Sequence, residues 1–239
     1  MRKFIFITFG SSEQFANSLI RISNEAKNFL VFDEIYAYNE NNLKEDNVFW
    51  EKHCQFIENN KKGYGYWIWK PYLIQQKLLE INEGDILVYA DCGCEINING
   101  KPRFLEYIDM LDNNSNNYGI LSFQMNHLLE KTFTKKAILN WFRADDSILN
   151  TGQCVGGVQI IKKNKHSINI INTWMYNMRY ELIDDYTNCE NSDFIENRHD
   201  QSIYSLTVKK LGSVKLPDET WFEDWSDGIN YPILAKRIR

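Results

Sequence analysis

The sequence is short of several features that would each point somewhere. Alanine is scarce, with 7 residues in 239, and proline scarcer, with 4. Only 4 histidines are present, which leaves few imidazoles for a multi-histidine metal centre. No apolar run approaches the ~20 residues of a membrane span. The stretch 4–9 behind the basic start is shorter than a signal-peptide core, and no small-residue cleavage site follows it. An excess of positive charge is missing too: Lys and Arg number 27 against 32 Asp and Glu, a net charge of −5. Phosphate contacts need a basic surface, so a general DNA or RNA binder is excluded. The 5 cysteines, Cys54, Cys92, Cys94, Cys154 and Cys189, are odd in number and irregular in spacing. No second Cys pair or His pair completes a zinc set around Cys92 and Cys94. Free thiols imply a reducing compartment, so a cytoplasmic protein is expected. The basic ending Lys236-Arg237-Ile238-Arg239 reads as a solvated terminus.

What is present is globular. Hydrophobic residues make up 44% and charged residues 25%. A chain of this length buries roughly 70% of its unfolded surface and needs neither disulfide nor metal to fold. No repeat and no Pro/Gly/Ser-rich linker divides it, so one domain over 1–239 is expected. Asn (27), Ile (27) and Lys (19) are abundant, a bias of A/T-rich coding. Aromatics reach 14%; most must serve the core, although flat faces also suit sugars and nucleobases.

Residues 3–9 read as a buried strand, ended by Gly10. Ser11 and Gln14 match a capping box, predicting a helix with Phe15, Leu19, Ile22 and Ala26 on one face. A strand at 31–38 completes a βαβ opening and predicts a parallel sheet. Further strands are expected at 86–90, 120–123 and 154–161, the last interrupted by Gly156-Gly157. Helices are expected at 48–57, from Pro71, from Pro102, and at 137–142, 168–183 and 200–211. The fold class is α/β, with a mostly parallel central sheet flanked by helices.

In open α/β sheets ligands bind beyond the carboxyl ends of the strands. The uninterrupted run 86–90 has an aspartate at each end, roughly 20 Å apart at about 3.3 Å per residue. Asp85, at the start, is expected to be structural. Asp91, at the carboxyl end, is the site candidate, followed by the turn Cys92-Gly93-Cys94-Glu95. A carboxylate there can hold a hard divalent cation that bridges substrate phosphates, although acidic turn residues are also common. The same rule selects Thr8, Phe9 and Gly10 at the end of the first strand. The run Tyr64-Gly65-Tyr66-Trp67-Ile68-Trp69-Lys70 precedes Pro71. A lysine near a helix start is not favoured by the dipole, so Lys70 is expected either to meet a ligand phosphate or to point into water. In Arg198-His199-Asp200-Gln201, Asp200 is either a helix cap or a catalytic carboxylate, and His199 either a surface imidazole or a metal or phosphate contact.

The order of these segments, Gly65-Tyr66-Trp67-Ile68-Trp69-Lys70-Pro71, then Gly84-Asp85 through Asp91-Cys92-Gly93-Cys94-Glu95, then Arg198-His199-Asp200-Gln201-Ser202, resembles a family of small glycosyltransferases. They serve chlorovirus capsid glycans and bacterial surface polysaccharides. The resemblance extends to Pro217-Asp218-Glu219-Thr220 and Tyr231-Pro232-Ile233. It implies the GT-A (Rossmann-like) fold, a nucleotide-sugar donor, UDP-linked, and a glycan or glycoprotein acceptor. It further implies hexosyl or deoxyhexosyl transfer and a divalent metal, Mn2+ or Mg2+. Donor contacts are then expected from Thr8, Phe9, Gly10, Tyr66, Trp67, Lys70, Asp91 and Gly93, metal ligation from Asp91 and His199, and catalysis from Asp200. The family's Asp-any-Asp motif departs here, because Gly93 stands where its second carboxylate would be. Either Glu95 or His199 completes the metal set or metal dependence is weak. The alternative is a non-catalytic sugar- or nucleotide-binding module. A phosphoester-cleaving enzyme ranks last, since only His199 and His127 could join a site.

Overall fold

The computed structural model describes residues 2–188 and 190–239; Cys189 lies outside the described residues, and the other four cysteines are free. The strands are β1 (Phe4–Phe9), β2 (Glu34–Tyr38), β3 (Ile86–Ala90), β4 (Glu95–Ile96), β5 (Ile120–Leu129), β6 (Gly152–Cys154), β7 (Val158–Lys162), β8 (Val214–Pro217) and β9 (Ile233–Leu234). Seven of them form one sheet in the order β2-β1-β3-β7-β5-β6, with β8 also on β5. β1 is parallel to β2 and β3, and β8 to β5. Only β6 and β7 run against the rest, antiparallel to β5 and, for β7, to β3. The sheet is therefore mostly parallel, as expected, with one reversed line broken at 155–157. That break is the interruption expected at Gly156-Gly157.

The central strands bury both faces, and two cores result. Ile5, Ile7, Phe9, Leu87 and Tyr89 pack with α2 (Asn47–Asn59), α3 (Trp69–Glu80), α5 (Lys165–Asn177) and α6 (Asp200–Leu211). Phe6, Ile86, Val88 and Ala90 pack on the other face with α1 (Ala16–Asn28) and α4 (Lys101–Asn113). Among the described residues no helix is long and apolar enough to cross a membrane.

Asp85 has the structural role expected of it. It is 2% exposed, and its carboxylate accepts from the backbone N–H of Lys3 and of Asn82, each at 2.8 Å. One local expectation changes. The Ser11–Gln14 box is not made: a short 3-10 turn over Glu13–Phe15 comes first, and Ser12 adopts φ 71° while its N–H donates to Glu40 at 2.9 Å. The helical stretch expected over 168–183 is there: α5 is capped by Asn164, the chain turns at Met178, where ψ is 58°, and a short helix resumes over Tyr180–Ile183. β4, β8 and β9 are too short to leave a periodic signal. β4 and β9 pair antiparallel beyond the end of β3 and bring the last residues of the chain back beside Asp91.

Candidate active site

The aromatic run ahead of α3 is held in an unusual backbone. Gly63, Tyr64, Gly65, Tyr66 and Trp67 all have positive φ, between 52° and 83°. This is a left-handed turn, and each non-glycine residue in it costs roughly 1–2 kcal/mol. Gly65 is needed for space as well as conformation, because a Cβ there would sit 2.6 Å from the Ile57 side chain. The Trp69 indole closes the turn by donating to the Gly63 carbonyl at 3.0 Å. Strain of this kind persists only where the surroundings over-determine it. Here it sets the start of α3, which carries Lys70.

Lys70 is buried, its side chain 3% exposed, and its Nζ lies between two carboxylates, 2.9 Å from Asp200 Oδ2 and 3.2 Å from Asp91 Oδ1. Desolvation alone would lower the lysine's pKa, but the two carboxylates outweigh it and hold the ammonium charged. Burial pushes the Asp200 carboxyl up against the pull of Lys70. Lys70 was expected to meet either a phosphate or water. It does not point into water, and its partners are the two other candidate residues. Asp200 does not cap α6. It is the helix's first residue, its side chain is 5% exposed, and His199 occupies the cap position without a capping hydrogen bond.

Asp91 is the member of the trio that reaches solvent, with a side chain 41% exposed. Lys70 and the Tyr89 hydroxyl, which donates to it, both use Oδ1. Oδ2 lies beside Gly157, where a Cβ would come within 2.7 Å, so the glycine keeps that oxygen clear. Asp91 and Gly93 open into a cleft of about 450 Å³ with Gly157, His127, Arg198, Asp218, Trp221, Trp225, Lys236 and Arg237. A larger groove of about 1100 Å³ between α2, α3 and α5 lies away from these groups, and its His53 and Arg179 are satisfied by Tyr180 and Glu181.

The remaining candidates separate from this centre. Thr8 is fully buried, and Phe9 stacks on Trp69 with ring centroids 3.9 Å apart, so both belong to the interior and do not line the cleft. Gly10 admits close packing on Phe15, 2.9 Å from a hypothetical Cβ. Tyr66 and Trp67 stack on His199 at 4.7 and 5.6 Å. His199, itself strained at φ 51° and ψ −115°, donates from Nδ1 to the Ile183 carbonyl at 2.7 Å, and its Nε2 faces Asp185 at 3.5 Å. Burial lowers the pKa of this imidazole.

The two residues expected to share a metal thus have different partners. Glu95, the other possible ligand, is paired with Lys236 at 2.9 Å. Among the described residues no three His, Cys, Asp or Glu side chains form a group that could hold a metal ion. A hard divalent cation wants six or more oxygens and repels an ammonium. Beside Asp91 it would find one free carboxylate oxygen and Lys70. The residues alone would not hold such an ion, whose remaining ligands would have to be waters and substrate phosphates.

Sequence reasoning missed the wall of the cleft. Trp221 and Trp225 were visible as an aromatic pair, but nothing local placed them opposite β3. The basic ending, expected to be solvated, is bound across the Gly93 turn: the Ile238 N–H donates to the Gly93 carbonyl at 2.9 Å.

No sequence-family profile matches the chain, and no curated protein matches it. Solved structures do. A glycosyltransferase involved in glycosylating the major capsid of the virus PBCV-1 superposes with a TM-score of 0.55 over 97% of this chain and 92% of its own, at 9% identity. Mouse xyloside xylosyltransferase 1, without ligand, gives 0.49 over 99% and 94%, also at 9% identity. The capsid enzyme and this chain share a fold from end to end, which is the fold the resemblance implied.

Proposed function

We propose that this protein is a glycosyltransferase that moves a sugar from a nucleoside diphosphate donor to a glycan acceptor, with Asp91 at the reacting centre. One observation carries the reading. At the carboxyl end of the central strand, the Asp91 carboxylate faces an aromatic-walled cleft and is fixed from behind by a buried Lys70–Asp200 pair. The fold shared with the capsid enzyme supports it. Transfer breaks the bond from the anomeric carbon to the diphosphate and forms one to the acceptor hydroxyl. The free Oδ2 of Asp91 can take the hydroxyl proton, or can stabilise positive charge growing at the anomeric carbon. Lys70 and Tyr89 hold Oδ1, so the carboxylate does not rotate between these tasks. Asp200 acts on this carboxylate through Lys70 as a positioning residue. The indole faces of Trp221 and Trp225 suit the apolar faces of sugars. A UDP-linked hexose or deoxyhexose is the donor class to test first, with a glycan or glycoprotein as acceptor. The free thiols fit a cytoplasmic site of action.

Melting curves with UDP, GDP, dTDP and CDP sugars test this reading. A bound donor at 100 times its Kd adds about 2.7 kcal/mol of stability, and mass spectrometry of the same mixtures reads nucleoside diphosphate release. Stabilisation with release is the expected result. Stabilisation without release on any acceptor identifies a sugar- or nucleotide-binding module, the reading that the missing second carboxylate favours.

A further inference from the structure

Segment 235–239 crosses the mouth of the cleft as a strap, and every anchor along it is a specific contact. The Ala235 N–H donates to the Thr220 carbonyl at 2.7 Å. Lys236 pairs with Glu95 at 2.9 Å and lies 5.5 Å above the Trp225 ring. Ile238 is held at both ends, its N–H on the Gly93 carbonyl and its own carbonyl accepting from Ser18 Oγ at 3.2 Å. The Arg239 guanidinium sits 6.0 Å over the Phe15 ring. Gly93 permits the crossing: a Cβ there would stand 3.3 Å from the Arg237 Cα.

Arg237 is the exception among these anchored residues. Its φ of 56° is left-handed, an uncommon conformation for arginine. Its side chain lines the cleft and makes no hydrogen bond or ion pair with any described residue. Of the other charged groups in the cleft, Asp218 has hydrogen-bond donors but no counter-ion among the described residues, and the rest are paired. Asp91 is paired with Lys70, and Lys236 with Glu95. The Asp218 carboxylate accepts from the Thr220 N–H and hydroxyl at 2.9 and 2.7 Å. Arg198 pairs with Glu196, yet its Nε is buried without a partner. The cleft therefore carries an exposed cation with no protein partner among the described residues, Arg237, and a buried charged donor with none, Arg198 Nε, beside the strand end where the protein offers a divalent ion a single free carboxylate oxygen.

We propose that the diphosphate of the donor is held here by Arg237, with Arg198, and not through a divalent metal, the strap existing to carry Arg237 over the cleft. The proposal rests on the nucleotide-sugar reading of this cleft. Guanidinium forks match phosphate oxygens with two parallel hydrogen bonds. Such cations stabilise the negative charge that grows on a departing diphosphate, the task a metal performs elsewhere. The strain at Arg237 fits a residue kept for its side chain, since glycine would hold that backbone at lower cost.

Calorimetric titration with nucleoside diphosphates tests this, on the full chain in 1 mM EDTA and again with manganese, using wild type, Arg237→Gly and Arg237→Lys. We expect binding in EDTA within twofold of that in manganese. Arg237→Gly should weaken it tenfold or more, while its melting temperature equals or exceeds that of wild type. Arg237→Lys should recover part of the affinity, as charge without the fork. Inorganic pyrophosphate should show the same order among the variants. Binding that requires manganese, or Arg237→Gly binding like wild type, overturns the proposal and leaves the glycosyltransferase reading standing. Failure of every nucleoside diphosphate to bind, with and without manganese, overturns both.

Discussion

Lys70→Ala is expected to lower stability by about 3–5 kcal/mol, because it leaves the Asp200 carboxylate buried with no counter-charge. At about 2–4 °C per kcal/mol for a chain of this size, the melting temperature should fall by roughly 10 °C. A mutated exposed lysine would not behave so, since surface pairs are worth about 0–1 kcal/mol. The double variant Lys70→Met, Asp200→Asn removes both charges and should regain much of the loss. Chemical denaturation of Lys70→Met, Asp200→Asn and the double gives the coupling energy, expected near 2 kcal/mol or more for groups in direct contact. Additive effects, or Lys70→Ala melting like wild type, would mean that the ion pair does not anchor this site.

A loss of similar size, about 3–5 kcal/mol, is expected for Lys209→Ala, for a second buried pair behind the site. Glu130, at the end of β5, is fully buried. It accepts from Lys209 Nζ at 2.7 Å, from Thr134 Oγ1 at 2.6 Å and from the Ser205 hydroxyl. Lys209 also donates to the Thr151 hydroxyl and the Gly152 carbonyl, both at 2.8 Å. The pair clamps α6, which carries Asp200, against β5 and β6. Lys209→Ala strands the carboxylate, whereas Lys209→Met with Glu130→Gln removes both charges and should lose less. Equal losses in the single and the double would reduce the clamp to side-chain packing.

The parts of this account legible in the sequence are those that local chemistry dictates. A short apolar run bounded by two aspartates and turn residues reads as a strand covered on both faces, so β3 and the structural role of Asp85 could be read directly. Gly156-Gly157 announced a break between β6 and β7, though not that Gly157 would clear space for Asp91 Oδ2. What could not be read depends on contacts between distant segments. Lys70, Asp91 and Asp200 were each candidates, but local sequence cannot say that one ammonium, buried between two strained segments, joins them. The resemblance implied His199 beside Asp91 as a metal ligand; its ring instead stacks on Tyr66 and bonds the Ile183 carbonyl. Thr8 and Phe9 were selected by position at a strand end, where side-chain alternation buries both. Four residues of basic chain at 236–239 carry no periodicity, and only the β4–β9 pairing reveals that they cross the cleft.

The most direct test of the central claim is the rate of nucleoside diphosphate release from a bound donor sugar by Asp91→Asn. The side chain is partly exposed, and Lys70 keeps Asp200 as its partner, so the stability cost should be about 1 kcal/mol or less. Removing the charge takes away the group placed to accept the acceptor proton or to stabilise the sugar cation, and release should slow roughly 100-fold or more. Melting and donor affinity, measured on the same preparation, should stay near wild type. A variant that folds, binds donor and releases nucleoside diphosphate at the wild-type rate would remove Asp91 from the reaction, and with it the site proposed for this protein.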